Sequence, residues 1–420
     1  MNSDDNIEVY YHDQAAEQPI LMGMLRGSTV RGKQVFSYDN SRDWLQGPHA
    51  RALDPDLQHF LGKQYLPADK SQFGLFLDSC PDRWGRMLMQ RREAILARDE
   101  NRTVRKLNES DYLLGVYDGN RMGALRFKRQ GGSEFLDNHH ERAAPPWTQL
   151  RELEQASWML ESEQTENKSQ YKQWVKQLMA PGSSLGGARP KASVTDEQGA
   201  LWIAKFPSRH DQVNRGAWEA IAYELACRCG ITMAPSKAQR FGLSQHCFLS
   251  KRFDRSTTGQ RIHFSSAMTQ LGYSDGQSSS EGISYLELAE WLQGSSHQPK
   301  LDLQQLWQRI VFSIAISNCD DHLRNHGFIL TAKGWQLSPA YDINPEEDGM
   351  GLKLNISEDD NTLDFELAQS VALHFGISAP HAKQIISHTQ QETSQWHQIA
   401  KRLGIAKQEQ ERMSSAFICR

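Results

Sequence analysis

One short polar segment contains most of the residue types that chemistry would need. In the stretch SNCDDHLRNHGFIL, Asp320 and Asn325 are separated by four residues, and His322 lies between them. This Asp-x4-Asn spacing is typical of loops that transfer phosphoryl groups, in which the aspartate accepts a hydroxyl proton and the asparagine gives an oxygen to Mg²⁺. Seventeen positions further on, Asp342 in the stretch LSPAYDINP could be a second metal ligand.

A transition-metal site is the alternative interpretation of the same segment. Asp320, His322 and His326 offer ligands, and histidines four positions apart suit one face of a helix. Gly327 and the apolar residues after it favour a loop instead, which weakens the spacing argument. Outside a metal site, Asp321 and His326 are expected to face solvent or to pack within the loop.

A glycine-rich stretch and a lysine in a predicted strand precede this loop. The run PGSSLGGARPK contains Gly186, Gly187 and Lys191, and glycine lets backbone N–H groups approach a phosphate closely. Its spacing matches neither common phosphate-binding pattern, so alone it also fits a flexible hairpin tip. Lys205 follows in the predicted strand LWIAK. In protein kinases a strand lysine after the glycine-rich loop contacts the α- and β-phosphates of ATP. A lysine that faces solvent by strand alternation is the alternative.

The helix predicted after this strand offers two glutamates, Glu219 and Glu224. A kinase uses one helix glutamate to hold the strand lysine, here Lys205. The sequence does not choose between that role for one of them and a surface position for both.

The elements that must position these residues change in type along the chain. Alternating and apolar stretches predict strands at 192–194 and 201–206, and apolar residues at helical spacing predict a helix at 82–100. The stretch LLGVYDGNRMGALRF is expected to form a hairpin with its turn at 118–120. From about residue 256 onward helical periodicity dominates. We therefore expect an α+β protein, with a β-rich unit before a mostly helical one.

The composition limits the class of protein. The 420 residues are 38% hydrophobic and 23% charged, and no run of 18 apolar residues occurs, so a globular protein without a membrane span is expected. The net charge of −4 gives no global basic field for nucleic acid. The six cysteines are scattered, and the pair Cys227 and Cys229 lacks a second pair to complete a metal site. A reducing cytoplasm is the expected compartment.

The order of these features is that of a protein kinase, with two departures. The histidine follows the catalytic aspartate instead of preceding it, and the last aspartate is not part of Asp-Phe-Gly. With these departures the chain resembles the HipA-type serine/threonine kinases, the toxins of bacterial HipA–HipB toxin–antitoxin systems. The stretches that carry the resemblance are SSLGGARPKA, IAKFPS, WEAIAYELACRCGI, KRFDR, NCDDHLRNHGF and LSPAYDI, with FSYDNSRDWL, SCPDRWGR and GVYDGNRMGALRF in the N-terminal part.

The resemblance implies a protein-kinase-like bilobal fold with a β-rich N-terminal lobe and a mostly helical C-terminal lobe. It divides the chain into a family-specific N-terminal subdomain at 1–130, the remainder of the N-lobe with the glycine-rich loop and the phosphate lysine at 131–255, and a helical C-lobe with the catalytic loop at 256–420.

Carried over position by position, the resemblance makes Asp320 the catalytic aspartate, lets His322 brace its loop, and makes Asn325 and Asp342 ligands of Mg²⁺. The pair Asp254–Arg255 would be structural support. The residues implied in ATP binding are Lys205, Lys191, Gly186, Gly187 and the hinge residues Lys251, Arg252 and Phe253.

Autophosphorylation is implied at Ser184, with Ser183 as the alternative register. A phosphate there adds nearly two negative charges beside the ATP phosphates, so it should inactivate the enzyme.

The resemblance also implies a biological role. The chain would be the toxin of a type II toxin–antitoxin system that inhibits growth by phosphorylating a translation component such as an aminoacyl-tRNA synthetase. A HipB-like helix-turn-helix antitoxin would supply the DNA contacts, and no membrane partner is expected. Two alternatives stay open: a small-molecule phosphotransferase, which shares the Asp-x4-Asn geometry, and a non-catalytic HipA-like corepressor module.

Overall fold

The computed structural model describes residues 5–30, 33–67, 69–136, 143–162, 170–179 and 187–418. Its strands are β1 (Asp5–Tyr11), β2 (Ile20–Val30), β3 (Lys33–Asn40), β4 (Lys63–Tyr65), β5 (Leu125–Arg129), β6 (Lys191–Thr195), β7 (Leu201–Lys205), β8 (Ser236–Gln239), β9 (Cys247–Lys251), β10 (His263–Ser266), β11 (Gly327–Thr331) and β12 (Gly334–Leu337). Its α-helices are α1 (Arg42–Gln46), α2 (Gly74–Leu77), α3 (Arg83–Asp99), α4 (Glu109–Leu114), α5 (Leu150–Leu160), α6 (Tyr171–Met179), α7 (Arg215–Arg228), α8 (Ala267–Gln270), α9 (Tyr285–Ser295), α10 (Pro299–Ala315), α11 (Phe365–Ser370), α12 (Ala379–Thr393), α13 (Trp396–Arg402) and α14 (Lys407–Met413). The expected α+β class is confirmed. Among the described helices, none has the length and apolar character needed to cross a membrane.

The chain divides into two compact units. Unit 1 comprises Met1–Arg209 and Asp254–Ser265, and unit 2 comprises His210–Phe253 and Ser266–Arg420. The segment 131–255, which the resemblance assigns to one lobe, is therefore distributed over both units.

A five-stranded antiparallel sheet, in the order β4-β3-β2-β1-β5, is the framework of unit 1. On β1 the buried residues Ile7, Val9 and Tyr11 alternate with partly exposed ones, which is the period of two that a half-buried strand requires. Aromatic rings fill the covered side: the ring centroid of Phe76 lies 5.7 Å from that of Tyr38 and 6.1 Å from that of Phe127. These rings anchor α2 to the sheet.

Helix α3 forms where the sequence predicts it. Asp82 caps its start by accepting a hydrogen bond from the Gly85 N–H at 2.8 Å, which satisfies one of the free donors of the first turn. Trp84 and Leu88, on one face of the helix, are buried. The predicted helix is therefore confirmed to within one residue at each end.

The expected hairpin at 113–127 is wrong. Leu113 and Leu114 are the last residues of α4, and Asp111 fixes the start of that helix by accepting a hydrogen bond from the Asn108 N–H at 2.8 Å. This cap precedes the stretch whose alternation suggested a strand, and only the last residues of the stretch, from Leu125, are extended, as β5.

The Asp-Arg pair after β9 holds the segment before β5 within unit 1. The Asp254 carboxylate accepts hydrogen bonds from the Gly123 N–H at 2.9 Å and from Arg255 at 2.6 Å. Arg255 in turn donates to the carbonyl oxygens of Gly119 and Arg121 at 3.0 and 2.8 Å. The two residues therefore have the supporting role that the resemblance implies.

Strands β6 and β7 form the antiparallel hairpin that the sequence predicts, with Lys191 opposite Lys205. Asp196 closes its turn by accepting the Ala200 N–H at 2.8 Å. Both candidate phosphate lysines therefore lie at the same end of this hairpin.

In unit 2 a core of large apolar side chains joins helices that are far apart in sequence. Trp218 of α7, Phe312 of α10, Trp396 of α13 and Phe417 belong to this core, and the rings of Trp396 and Phe417 stack with centroids 4.5 Å apart. Gly230 follows α7 with φ of +76°, a left-handed conformation that glycine adopts readily at the end of a helix. Helix α10, which leads into the polar segment, is thereby fixed on its apolar side.

Unit 1 contains a buried carboxyl group whose titration affects stability. Asp54 is 2% exposed and accepts hydrogen bonds from the N–H groups of Leu75 and Asp56, both at 2.8 Å. Burial raises the pKa of Asp54 from 3.8 to about 6, although the two hydrogen bonds oppose the increase. Because the folded state holds this proton more tightly than the unfolded chain, the stabilising contribution is present below pH 3.8 and is lost as the pH rises through about 6.

The variant Asp54→Asn cannot titrate at this site. We expect the free energy of unfolding of the variant, relative to that of the wild type, to rise by on the order of 2 kcal/mol as the pH is raised from about 4 to about 8. Urea unfolding at several pH values measures the difference, with the exposed Asp43→Asn as the control that stays parallel to the wild type. Parallel profiles for wild type and Asp54→Asn would show that Asp54 does not titrate in this range.

Candidate phosphoryl-transfer site

The polar segment lies between the buried end of α10 and the buried strand β11, as its apolar flanks predict. Residues 310–316 are buried, and Ser317 then adopts φ of +50°, a left-handed conformation that is costly for an L-residue with a side chain. This turn ends the helical course of the chain, and residues 318–326 form irregular turns. The segment is therefore a loop whose two ends are held by the core of unit 2.

The structure brings the three predicted loop residues together. Asn325 Nδ2 and the His322 N–H each donate to the carbonyl oxygen of Asp320 at 2.9 Å, and the Asn325 N–H donates to the His322 carbonyl at 2.8 Å. Asp320 is exposed, whereas Asn325 is buried, and its Oδ1 finds no hydrogen-bond donor among the described residues. The loop thus combines an exposed aspartate with a buried oxygen that lacks a hydrogen-bond donor.

The segment of Asp342 is joined to this loop by hydrogen bonds. The Asn344 N–H donates to Asn318 Oδ1 at 3.0 Å, and Asn344 Nδ2 donates to Asp342 Oδ1 at 3.2 Å. The Tyr341 hydroxyl donates to the Arg324 carbonyl oxygen at 2.8 Å. Asp342 itself has φ of +57°, a conformation that costs free energy and often marks a functional position. The segment is therefore held to the loop on both sides of Asp320.

A buried carboxylate lies directly after Asp320. Asp321 is 4% exposed; its Oδ2 accepts the Tyr285 hydroxyl at 2.7 Å, and its Oδ1 lies 3.0 Å from Nε2 of His326. Burial alone would raise the pKa of Asp321, but His326 and the Tyr285 hydroxyl outweigh it, so the pKa lies below its usual value. Burial lowers the pKa of Arg309 to about 10, a decrease that Asp321 opposes, so Arg309 is a cation at neutral pH.

Several of these contacts could not be assigned from the sequence. Of the two expectations for Asp321 and His326, packing within the loop is confirmed and exposure to solvent is wrong. Tyr285 and Asn318 carried no signal. Arg309 did carry one, because it is a charged residue within the otherwise apolar helical stretch before the loop.

The ligand types in the loop suit Mg²⁺ better than a transition metal. Among the described residues no group of three or more His, Cys, Asp or Glu could hold a metal ion, so a site of Asp320, His322 and His326 is not formed. Asn325 Oδ1 and the Asp342 carboxylate are oxygen ligands of the kind that Mg²⁺ prefers. The acceptor of Asn325 that lacks a donor fits a ligand role.

The predicted adenine hinge lies at the end of β9 in unit 2. The Lys251 N–H donates to the Pro235 carbonyl oxygen at 2.8 Å, and Arg252 is buried. The ring of Phe253 lies 5.4 Å from that of Tyr341, the residue before the candidate metal aspartate. The hinge is therefore close to the Asp342 segment, and its contact with adenine stays a prediction.

The other predicted ATP-binding residues belong to unit 1. Lys205, the last residue of β7, is partly buried. Lys191 is buried, and its Nζ lies 2.9 Å from a carboxylate oxygen of Asp82. Gly187 has φ of +94°, and a Cβ there would lie 3.1 Å from Lys191 Nζ, so a larger residue would not fit easily. Outside the described residues lie Gly186 and the predicted phosphorylation sites Ser184 and Ser183.

The two candidate helix glutamates, both on α7, have different surroundings. Glu224 forms ion pairs with Arg228 at 2.6 Å and with Arg402. Glu219 is buried, so a surface position for both glutamates is wrong.

Comparison with known proteins gives the class of fold first. The chain shares its fold with HipA in the structure of the Shewanella oneidensis MR-1 toxin–antitoxin system HipA, HipB and its operator DNA. The identity is 18%, the similarity covers 98% of this chain and 94% of that chain, and the TM-score is 0.68. The Helicobacter pylori proinflammatory kinase CtkA is 14% identical over 51% of this chain and 95% of that chain, but its TM-score of 0.33 does not indicate a shared fold.

The family follows from the sequence itself. The model of the HipA-like C-terminal domain matches residues 183–397, which include both the loop of Asp320 and the segment of Asp342. The chain belongs to this HipA-like family, and its resemblance to HipA-type toxins is confirmed. No curated protein has a sequence that matches the chain.

The ion pair of Lys191 and Asp82 should stabilise unit 1. In Lys191→Met the Asp82 carboxylate stays buried without its ammonium partner, so we expect the free energy of unfolding to fall by about 3–5 kcal/mol. The double variant Asp82→Asn/Lys191→Met removes both charges and should recover part of the loss. Urea unfolding measures these changes, with the exposed Lys63→Met of β4 as the control. Equal losses for Lys191→Met and Lys63→Met would contradict a stabilising pair.

Proposed function

We propose that the chain is an ATP- and Mg²⁺-dependent serine/threonine protein kinase with the bilobal, protein-kinase-like fold that the resemblance implies. It would act as the toxin of a type II toxin–antitoxin system. Membership of the HipA-like family supports the toxin role. The site supports the chemistry, because an exposed aspartate, a buried amide oxygen and a strained aspartate are held together by hydrogen bonds.

The observation that carries this proposal is the state of the Asn325 amide. Its Nδ2 donates to the Asp320 carbonyl at 2.9 Å, so the side chain has a defined orientation. That orientation leaves Oδ1 buried without a donor among the described residues, which is costly unless a ligand occupies it. A cation is such a ligand, and Asp342 supplies the negative charge that binding it requires.

Phosphoryl transfer assigns a role to each residue of the loop. The exposed carboxylate of Asp320 accepts the proton of a serine or threonine hydroxyl as its oxygen bonds to the γ-phosphorus of ATP. The bond from that phosphorus to the bridging oxygen breaks, and ADP leaves. Asn325 and Asp342 would hold Mg²⁺, which neutralises charge on the phosphates when bound. His322 braces the loop through its backbone bonds to Asp320 and Asn325.

The predicted ATP-binding residues would contact different parts of the nucleotide. Lys205 and Lys191, with Gly186 and Gly187, would contact the phosphates, and Lys251, Arg252 and Phe253 would contact adenine. Lys191 would then have to contact the ATP phosphates while it is paired with Asp82.

The partners follow from the family and the charge of the chain. The HipA of Shewanella oneidensis was solved with HipB and operator DNA. A HipB-like helix-turn-helix antitoxin would likewise supply the DNA contacts here, because the chain has a net charge of −4 and no global basic field of its own. The protein substrate would be a translation component such as an aminoacyl-tRNA synthetase.

Loss of the catalytic and metal residues tests the proposed reaction. Asp320→Ala removes the proton acceptor and Asp342→Asn removes a metal charge, so we expect each to lower Mg²⁺-dependent transfer of label from γ-³²P-ATP to protein by about 100-fold or more. Circular dichroism checks that the fold is retained, and the exposed Asp359→Asn serves as the control. Unchanged labelling in Asp320→Ala would contradict kinase chemistry at this loop, and label found only on a small metabolite would indicate a small-molecule phosphotransferase.

Self-inactivation is tested separately at the glycine-rich stretch. We expect Ser184→Ala to abolish incorporation of label into the chain itself while transfer to another protein continues, because the serine is an acceptor and not part of the catalytic loop. Mass spectrometry of the labelled protein locates the phosphate. Label that persists in Ser184→Ala but disappears in Ser183→Ala would assign the site to Ser183.

A further inference from the structure

The buried carboxylate of Asp321 joins three parts of unit 2. Asp321 lies in the loop, Tyr285 is the first residue of α9, and His326 is the residue before β11. One carboxylate oxygen accepts the Tyr285 hydroxyl at 2.7 Å, and the other lies 3.0 Å from His326 Nε2. The rings of Tyr285 and His326 also meet edge to face, with centroids 5.6 Å apart. All three residues are buried, so none of them can touch a protein substrate.

Asp321 and His326 are each next to a predicted catalytic or metal-binding residue in the chain. Asp320 directly precedes Asp321, and Asn325 directly precedes His326. Consecutive Cα atoms are about 3.8 Å apart, so the contact between Asp321 and His326 limits the separation of Asp320 and Asn325. On the other side, Asn325 Nδ2 bonds to the Asp320 carbonyl at 2.9 Å. The loop is therefore closed twice, once through the predicted catalytic residues and once through their neighbours.

Burying the carboxylate of Asp321 costs free energy. Moving such a charge from water to the interior costs several kcal/mol unless hydrogen bonds and charge compensate for it. Here the Tyr285 hydroxyl donates a hydrogen bond, His326 Nε2 lies 3.0 Å from the other carboxylate oxygen, and the charge of the buried Arg309 acts on the carboxylate. Arg309 is itself anchored by a bond to the Ser338 carbonyl at 2.5 Å. The arrangement restricts the loop in a way that an apolar residue of similar size would not.

We propose that Asp321 is a positioning residue for phosphoryl transfer, held by Tyr285 and His326. Its carboxylate keeps Asp320 and Asn325 at the separation that the reaction needs, without contacting ATP or the accepting hydroxyl. The kinetic part of this role rests on the function proposed above. The structural part, restriction of the loop, does not depend on it.

Tyr285→Phe tests the role with the smallest change, because it removes one hydrogen bond and keeps the ring. Tyr273→Phe is the matched control: the Tyr273 hydroxyl donates to the Glu287 carboxylate at 2.6 Å in the same unit, and not to a residue of 317–326. We expect Tyr285→Phe to lower kcat for Mg²⁺-ATP by about 10-fold with KM for ATP unchanged, since only the geometry of the loop is affected. Tyr273→Phe should leave both constants unchanged.

Hydrogen–deuterium exchange supplies a readout that needs no activity. We expect the peptide covering residues 317–326 to exchange faster in Tyr285→Phe than in wild type or Tyr273→Phe. His326→Gln, which keeps a side-chain N–H donor, should retain more of this protection than His326→Leu. Absence of label transfer in the wild type, together with faster exchange in Tyr285→Phe, would contradict the proposed function and support only the structural part, restriction of the loop by Asp321. Unchanged exchange and unchanged kcat in Tyr285→Phe, or equal effects of Tyr273→Phe, would overturn the positioning role.

Discussion

A buried carboxylate must be given hydrogen-bond donors by the fold, and this requirement shapes the loop between α10 and β11. Asp321 accepts a hydrogen bond from Tyr285, at the start of α9, and contacts His326, at the end of the loop. Neither partner can move away without leaving a less compensated charge in a poorly solvated interior. The adjacent residues Asp320 and Asn325 therefore have little freedom, although Asp320 is itself exposed to solvent.

The same constraint extends to the second segment of the site. Asn318 starts the loop and accepts the N–H of Asn344, which also bonds to the Asp342 carboxylate. Asp342 is held in a left-handed conformation that costs free energy. Ser317, the residue before Asn318, is held in a left-handed conformation as well. The packing of α10 and β11 in the core offsets the strain at Ser317 and Asp342. A rigid core and two strained residues thus hold together the two segments that carry the oxygens of Asn325 and Asp342.

Much of this could be predicted from the sequence, because the signals were local. The capped helix α3, the hairpin of β6 and β7, and the loop with Asp320 and Asn325 all follow from patterns within a few residues. The hairpin expected at 113–127 failed because a helix cap before the stretch decided its first half. Tyr285 and Asp321 are 36 positions apart in the chain, and their contact depends on how α9 packs. No local sequence pattern predicts such a contact.

The central claim is that Asn325 and Asp342 hold the metal that accompanies ATP. Crystals grown with a non-hydrolysable ATP analogue and Mn²⁺ in place of Mg²⁺ test this directly, because Mn²⁺ gives a strong anomalous signal. We predict an anomalous peak within coordinating distance, about 2.2 Å, of Asn325 Oδ1 and of an Asp342 carboxylate oxygen. Nucleotide bound with the peak on other ligands, or with no peak beside these two residues, would contradict it.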